Sequence, residues 1–170
     1  MKKNNNIYLT GMMGAGKTTI GKLLKQELKI NLIDADEYII MTQKMSISDI
    51  FAKFGEKKFR DIETKMLKKI SKLKNTIVST GGGIILRNEN IKIMRTSGII
   101  INIYRSCKNI IKTIDTNSRP LLKNGRSKIY SIYKTRKEIY RKTADIIISN
   151  NTNDIGNAVK RILKKLDIYN

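Results

Sequence analysis

The sequence predicts a three-layer α/β protein, with a parallel sheet of about five strands covered by helices on both faces. Three observations carry this. Short β-branched runs recur at Ile7–Thr10, Thr76–Thr80, Gly98–Tyr104 and Ala144–Ser149; helical patterns separate them; and the first run ends in a glycine-rich loop that opens a helix. Strands buried on both faces read as near-continuous apolar runs, and helices between them provide the crossovers that parallel pairing requires.

In chain order, Ile7 to Thr10 is the first strand, and Ile20, Leu23, Leu24 and Leu28 recur at helical spacing behind the loop. A second strand is expected at Asn31 to Ala35, with Asp36, Glu37 and Tyr38 opening a short helix. Ser46 to Phe54 and Lys57 to Leu73 read as two helical pieces divided near Gly55; Ser46 and Asp49 offer an N-cap with an acidic partner three residues on. Three glycines, Gly81 to Gly83, stop the Thr76 strand. Further helices are expected at Ile91–Arg95, Ser106–Asp115, Ser127–Thr143 and Asp154–Leu166. The stretch 115–128, with the chain's single proline, Pro120, and Gly125, reads as a mobile lid loop.

A chain of 170 residues, 40% hydrophobic, fits one domain spanning 1–170. One cysteine, Cys107, permits no internal disulfide, and the absence of histidine removes the commonest transition-metal ligand. The apolar start breaks at Gly14 to Lys17 with no cleavage signal, so it is expected to be a strand and not an export leader. No apolar stretch approaches the roughly 18 residues needed to span a bilayer. A soluble, cytoplasmic, monomeric protein is expected, with no membrane partner.

The formal charge of +21 raises nucleic acid as a partner. Against it, the lysines are dispersed among Ile and Leu at helical spacing, and aromatics, which would stack bases, are only 6%. Solvated helix faces are the expectation, with no nucleic acid bound.

Gly11-Met12-Met13-Gly14-Ala15-Gly16-Lys17-Thr18 has the spacing of a phosphate-binding loop. Its glycines let backbone N–H groups turn inward around a phosphate, and the following helix adds the positive end of its dipole. Lys17 is expected to reach the β and γ phosphates, and Thr18 to offer its hydroxyl to Mg²⁺. Such a loop alone does not separate kinases from other nucleotide hydrolases. Asp34 and Asp36, two residues apart at the end of the second strand, are expected on one side of the pleat, one to hold Mg²⁺ and the other to meet an acceptor hydroxyl. The same pattern also serves as a helix N-cap.

The loop from Gly11 to Lys22, Asp34-x-Asp36, Ile50-Phe51 with Phe54-Gly55-Glu56, Phe59-Arg60-x-x-Glu63, and Thr80-Gly81-Gly82-Gly83 occur together in that order. With Arg119-Pro120-Leu121-Leu122 and Arg136 leading to Tyr140-Arg141, this set, over about residues 7–149, resembles the shikimate kinases. The resemblance implies a phosphate-loop kinase fold with a mobile lid, ATP as co-substrate, Mg²⁺ as cofactor and the 3-hydroxyl of shikimate as acceptor. It assigns the nucleotide to Gly14, Ala15, Gly16, Lys17, Thr18, Thr19 and the lid residue Arg119, and the metal to Thr18 and Asp34. Shikimate falls to helices within about 36–63 and beyond: Asp36, Arg60, Gly81, Gly82, Gly83 and Arg136.

Each assignment has a physical reading. The planar fork of Arg60 suits a carboxylate, and Glu56 and Glu63, four and three residues away, can fix it. Glycines at 81–83 allow close backbone approach. Arg136, among Lys134, Lys137, Arg141 and Lys142, would alone read as a solvated charge; by resemblance it is a second carboxylate grip. Catalysis is expected from Lys17, Arg119 and Mg²⁺ neutralising charge while Asp36 orients the hydroxyl. Where the family places arginines around adenine, this chain has Lys112 and Asn153, and lysine lacks the planar stacking surface. Competing acceptors within the same fold are gluconate and nucleoside monophosphates, which the Asp36, Arg60, Gly82 and Arg136 set argues against.

Overall fold

The computed structural model describes residues 6–113, 126–152 and 154–168. Five strands form one parallel sheet: β1 Asn6–Thr10, β2 Asn31–Asp34, β3 Thr76–Ser79, β4 Gly98–Tyr104 and β5 Ile146–Ser149, ordered β2-β3-β1-β4-β5. The helices are α1 Lys17–Leu28, α2 Ala35–Gln43, α3 Ile47–Ile70, α4 Asn88–Ser97, α5 Cys107–Thr113, α6 Arg126–Thr143 and α7 Ile155–Ile168, with a 3₁₀ turn at Ile84–Leu86.

Alternation along β1 builds the two cores. Ile7 and Leu9 face a layer that includes Ile20 and Leu24 of α1 and Val159, Ile162 and Leu166 of α7. Tyr8 faces the other way, into a layer drawn from α2 to α6 that includes Ile39, Leu67, Met94, Ile110 and Ile129. The expected αβα layering and the five strands are both present. Among the described residues no helix is long and apolar enough to cross a membrane.

Boundaries differ by a few residues, each for a local reason. β2 ends at Asp34, one residue before the expected end, because the Asp34 side chain accepts from the Asp36 and Glu37 N–H groups and caps α2. β5 starts at Ile146: the Asp145 carboxylate turns to accept from Ile100 N, and Asp145 N donates to Ile100 O. Ser46 caps α3 as expected, accepting from Asp49 N at 3.1 Å while its hydroxyl donates to the Asp49 carboxylate at 2.6 Å. The division near Gly55 is a kink inside α3, where Gly55 holds φ 75°, ψ 172°. Residues 126–128, expected in the lid, are the first turn of α6; the rest of that segment, Arg119 included, lies outside the described residues, as does Asn153.

β1 is the central strand, paired with β3 on one side and β4 on the other. Asn6 Nδ2 donates to Leu73 O at 2.8 Å and Asn6 Oδ1 accepts from Thr76 N at 3.1 Å, fixing the start of β3 beside β1. On the other side Gly98 sits opposite Asn6, and a Cβ there would collide with the Asn6 carbonyl. Gly98→Ala is therefore expected to lower stability by about 1–3 kcal/mol through overpacking between two central strands. Urea unfolding at neutral pH measures it, as a lower midpoint.

Candidate functional site

All five strands point their carboxyl ends to one edge, and the loops leaving β1, β2, β3 and β4 meet there. The phosphate loop follows β1. Gly11 has φ 141° and abuts the Ile103 carbonyl, so no side chain fits. Gly16, at φ 97°, caps α1, and a Cβ on it would sit 2.7 Å from Asn150 Nδ2, which itself donates to Ala15 O at 2.9 Å. Lys17 is buried; its Nζ donates to the Gly11 and Met12 carbonyls at 3.0 Å each, folded over the loop whose N–H groups would face a phosphate.

Thr18, Asp34 and Ser79 converge beside Lys17. Thr18 Oγ1 donates to Asp34 Oδ2 at 2.8 Å and lies 3.1 Å from Ser79 Oγ. These are hard oxygen donors, the kind Mg²⁺ selects, and Mg²⁺ commonly uses one or two carboxylates and completes its shell with substrate phosphates and water. The donor set fits that ion. The other oxygen of Asp34 caps α2, so the capping reading and the ligand reading of Asp34 hold together. The pleat reading of Asp34 and Asp36 does not: Asp36 lies in the first turn of α2, not in the strand, and reaches the site by helix geometry.

Two cavities open side by side at this edge. One, about 490 Å³, is lined by Gly14, Gly16, Lys17, Thr18, Thr19, Asp34, Ser79 and Arg105. The other, about 330 Å³, lies over α3 and the glycine loop and is lined by Phe51, Phe59, Arg60, Glu63, Gly83 and Arg136. Met13, Asp36 and Gly82 belong to both. Asp36 thus stands at their junction.

The second cavity is built on a buried ion pair. Arg60 Nη1 donates to Glu63, while Nε and Nη2 reach Glu56 Oε1 at 3.2 and 2.9 Å, as the spacing along α3 predicts. Burial pulls the Arg60 guanidinium down, but Glu63, with Glu56 adding, holds it above its ordinary value and firmly charged. Burial pushes the Glu63 carboxyl up; Arg60 opposes that shift and Asp36 reinforces it. The glycines make room. A Cβ on Gly83 would strike the Arg60 guanidinium, and one on Gly81 would lie 2.9 Å from Glu63 Oε1 and 3.0 Å from Asp36 Oδ1. Gly82 O accepts from Arg136 Nη1 at 3.1 Å and from the Tyr140 hydroxyl.

Arg136 is 6% exposed, contrary to the solvated charge its lysine neighbours suggest. Among the described residues four basic side chains are buried, Lys17, Arg60, Arg105 and Arg136, and all four line these cavities. Lys112 is exposed and lines neither. Sequence reasoning missed Arg105, Asn150 and the Tyr140 contact. Position at the carboxyl end of β4 was a usable signal for Arg105; Asn150 and Tyr140 act through contacts 135 and 58 residues away in sequence, which no local pattern reveals.

A family model described as shikimate kinase matches residues 13–167. A shikimate kinase of Caldicellulosiruptor bescii is 48% identical over 139 residues, covering 80% of this chain and 81% of the relative. One from Dictyoglomus turgidum is 40% identical over 167 residues, covering 95% and 97%. Among solved structures, the shikimate kinase of Acinetobacter baumannii in complex with shikimate superposes with a TM-score of 0.91 at 33% identity, covering 95% of this chain and 92% of that one.

Burial pushes the Tyr140 phenol up to about 12, against a pull from Arg136. Its unfolded counterpart ionises near its ordinary value of about 10. Below that pH both states are neutral and the stability is intact; between about pH 10 and 12 the unfolded state ionises first and stability falls. Tyr140→Phe is expected to lose less stability than the parent over that window, compared by urea unfolding at pH 9 and pH 11.

Proposed function

The chain belongs to the shikimate kinase family, and we propose that it transfers the γ-phosphoryl group of ATP to the 3-hydroxyl of shikimate where its two cavities meet at Asp36. The observation that carries this reading is Asp36 itself, which borders the phosphate cleft and the acceptor cavity together. A carboxylate at that junction can accept a hydrogen bond from an attacking hydroxyl and take its proton.

The acceptor cavity suits a small carboxylated polyol. Arg60 spends three of its five N–H donors on Glu56 and Glu63, which hold its plane, and the remaining two can meet a substrate carboxylate. Arg136, held by the Gly82 carbonyl, supplies the second positive charge. Phe51 and Phe59, with ring centroids 4.7 Å apart, give an apolar wall for the carbocycle, and Gly81, Gly82 and Gly83 bring backbone to its edge.

The donor cleft takes the nucleotide through Gly14, Ala15, Gly16, Lys17, Thr18 and Thr19. Lys17 exchanges its loop carbonyls for phosphate oxygens and neutralises charge that develops on the transferred group. Thr18 and Asp34 are the residues that would hold Mg²⁺, which when bound shields the phosphate charges that would otherwise repel a nucleophile. From the lid, Arg119 adds a further positive charge in this reading.

ADP release should require shikimate and ATP together and should not respond to gluconate or a nucleoside monophosphate; silence with shikimate would refute the acceptor. In the same assay Asp36→Asn should lower turnover by about 10²- to 10⁴-fold, the usual contribution of a positioned base. ADP binding to that variant, followed by calorimetry, should stay close to the parent's. Gly83→Ala, by displacing Arg60, should raise the KM for shikimate well above any change in the KM for ATP.

A further inference from the structure

We propose that Arg105 is a nucleotide-binding residue whose guanidinium contacts the polyphosphate of the donor; the inference deepens the kinase reading and rests on it. Arg105 follows the last residue of β4 and is 8% exposed. Its Nη1 donates to the carbonyl of Gly14, in the middle of the phosphate loop, at 3.1 Å. Its Nε is buried and has no hydrogen-bond partner.

A buried guanidinium is ordinarily paired with a carboxylate, because removing a charge from water without a counter-charge is costly. Arg60 follows that rule with two glutamates, and Arg136 lies in the field of Glu63. Arg105 does not. Among the described residues no carboxylate comes within ion-pair distance of it. A buried cation with an unused donor, tethered to a loop that cradles phosphate, is completed by an anion that enters with a ligand.

Location selects the ligand. Arg105 lines the cleft that contains Gly14, Gly16, Lys17 and Thr18 and also a smaller cavity of about 180 Å³ whose lining includes Glu138; it is absent from the lining of the acceptor cavity. The bond to Gly14 turns the guanidinium to the phosphate loop, and the Glu138 carboxylate makes the smaller cavity the poorer host for an anion, so the anion is one that occupies the donor cleft. The fork of donors on arginine matches phosphate oxygens. The Gly14 carbonyl uses one N–H and fixes the side chain, so binding orders little that is not already ordered.

Binding of ADP, adenosine and shikimate to the full chain, together with kcat and KM for ATP and shikimate, tests this with Arg105→Gln and Arg105→Lys. Arg105→Gln should weaken ADP by about 10- to 100-fold, the range for a hydrogen bond to a charged group. Adenosine and shikimate should stay within about twofold, as for a site not in contact with the change. Arg105→Lys should recover part of the loss. Unchanged ADP affinity overturns the proposal, and so does an equal loss for ADP, adenosine and shikimate, which marks a purely structural role. If Arg105→Gln does not fold, Arg105→Lys decides alone, and parental ADP affinity in it overturns the proposal. A parent that binds ADP but leaves shikimate unphosphorylated refutes the acceptor assignment without touching Arg105.

Discussion

The parallel register of the sheet is the constraint on which the site depends. Because β1 lies between β3 and β4 with all three running the same way, the phosphate loop, the glycine loop and Arg105 leave the sheet at one edge. Side chains then lock these exits together: Thr80 donates to Leu9 O through both N and Oγ1, Arg105 to Gly14 O, and Asn150 to Ala15 O. β2 beside β3 completes the edge by bringing Asp34 within 2.8 Å of Thr18. An antiparallel neighbour would have sent its loop to the far side, and no choice of side chains could have repaired that.

The acceptor half is held by a different kind of interaction, one in which the desolvation of two charges works against their attraction. A buried Arg–Glu pair of the Arg60–Glu63 type is often matched or bettered by apolar residues of similar volume, by about 1–4 kcal/mol. What the pair supplies is a fixed guanidinium plane beneath an uncluttered backbone. The cost spreads to neighbours: Gly81 and Gly83 must lack side chains, and Asp36 adds a further negative charge close to Glu63. Such concentration of charge in a small volume is how a fold trades stability for recognition.

The elements that follow local rules were legible in the sequence. Runs of β-branched residues marked β1, β3 and β4, the Ser46 cap and its Asp49 partner marked the start of α3, and Gly55 marked its kink, because each is written within a few residues. The Arg60 pairing with Glu56 and Glu63 followed from helical spacing alone. Arg136 was misleading for the same reason: its neighbours Lys134, Lys137, Arg141 and Lys142 are exposed, and only the packing of α6 against the glycine loop buries Arg136 among them. For Asp36, the strand ended one residue sooner than its pattern suggested, and Asp36 reaches the edge of both cavities from the first turn of α2 instead of from the pleat. Asn150 and Tyr140 had no local signature, since each matters only for the backbone carbonyl it meets across the fold.

The same distinction separates the two populations of positive charge. The net +21 is carried mainly by exposed lysines on helix faces, whose fields are screened within about 8 Å at physiological ionic strength. Lys17, Arg60, Arg105 and Arg136 are set apart by burial, and each borders one of the two cavities at the sheet edge. A charge held at a partly buried site is screened less than one on an exposed helix face, so these four act more strongly on a ligand in the cavities than the many outside. A composition that suggests a polyanion partner thus belongs to a protein whose buried cations are four side chains, among the described residues, that composition does not single out.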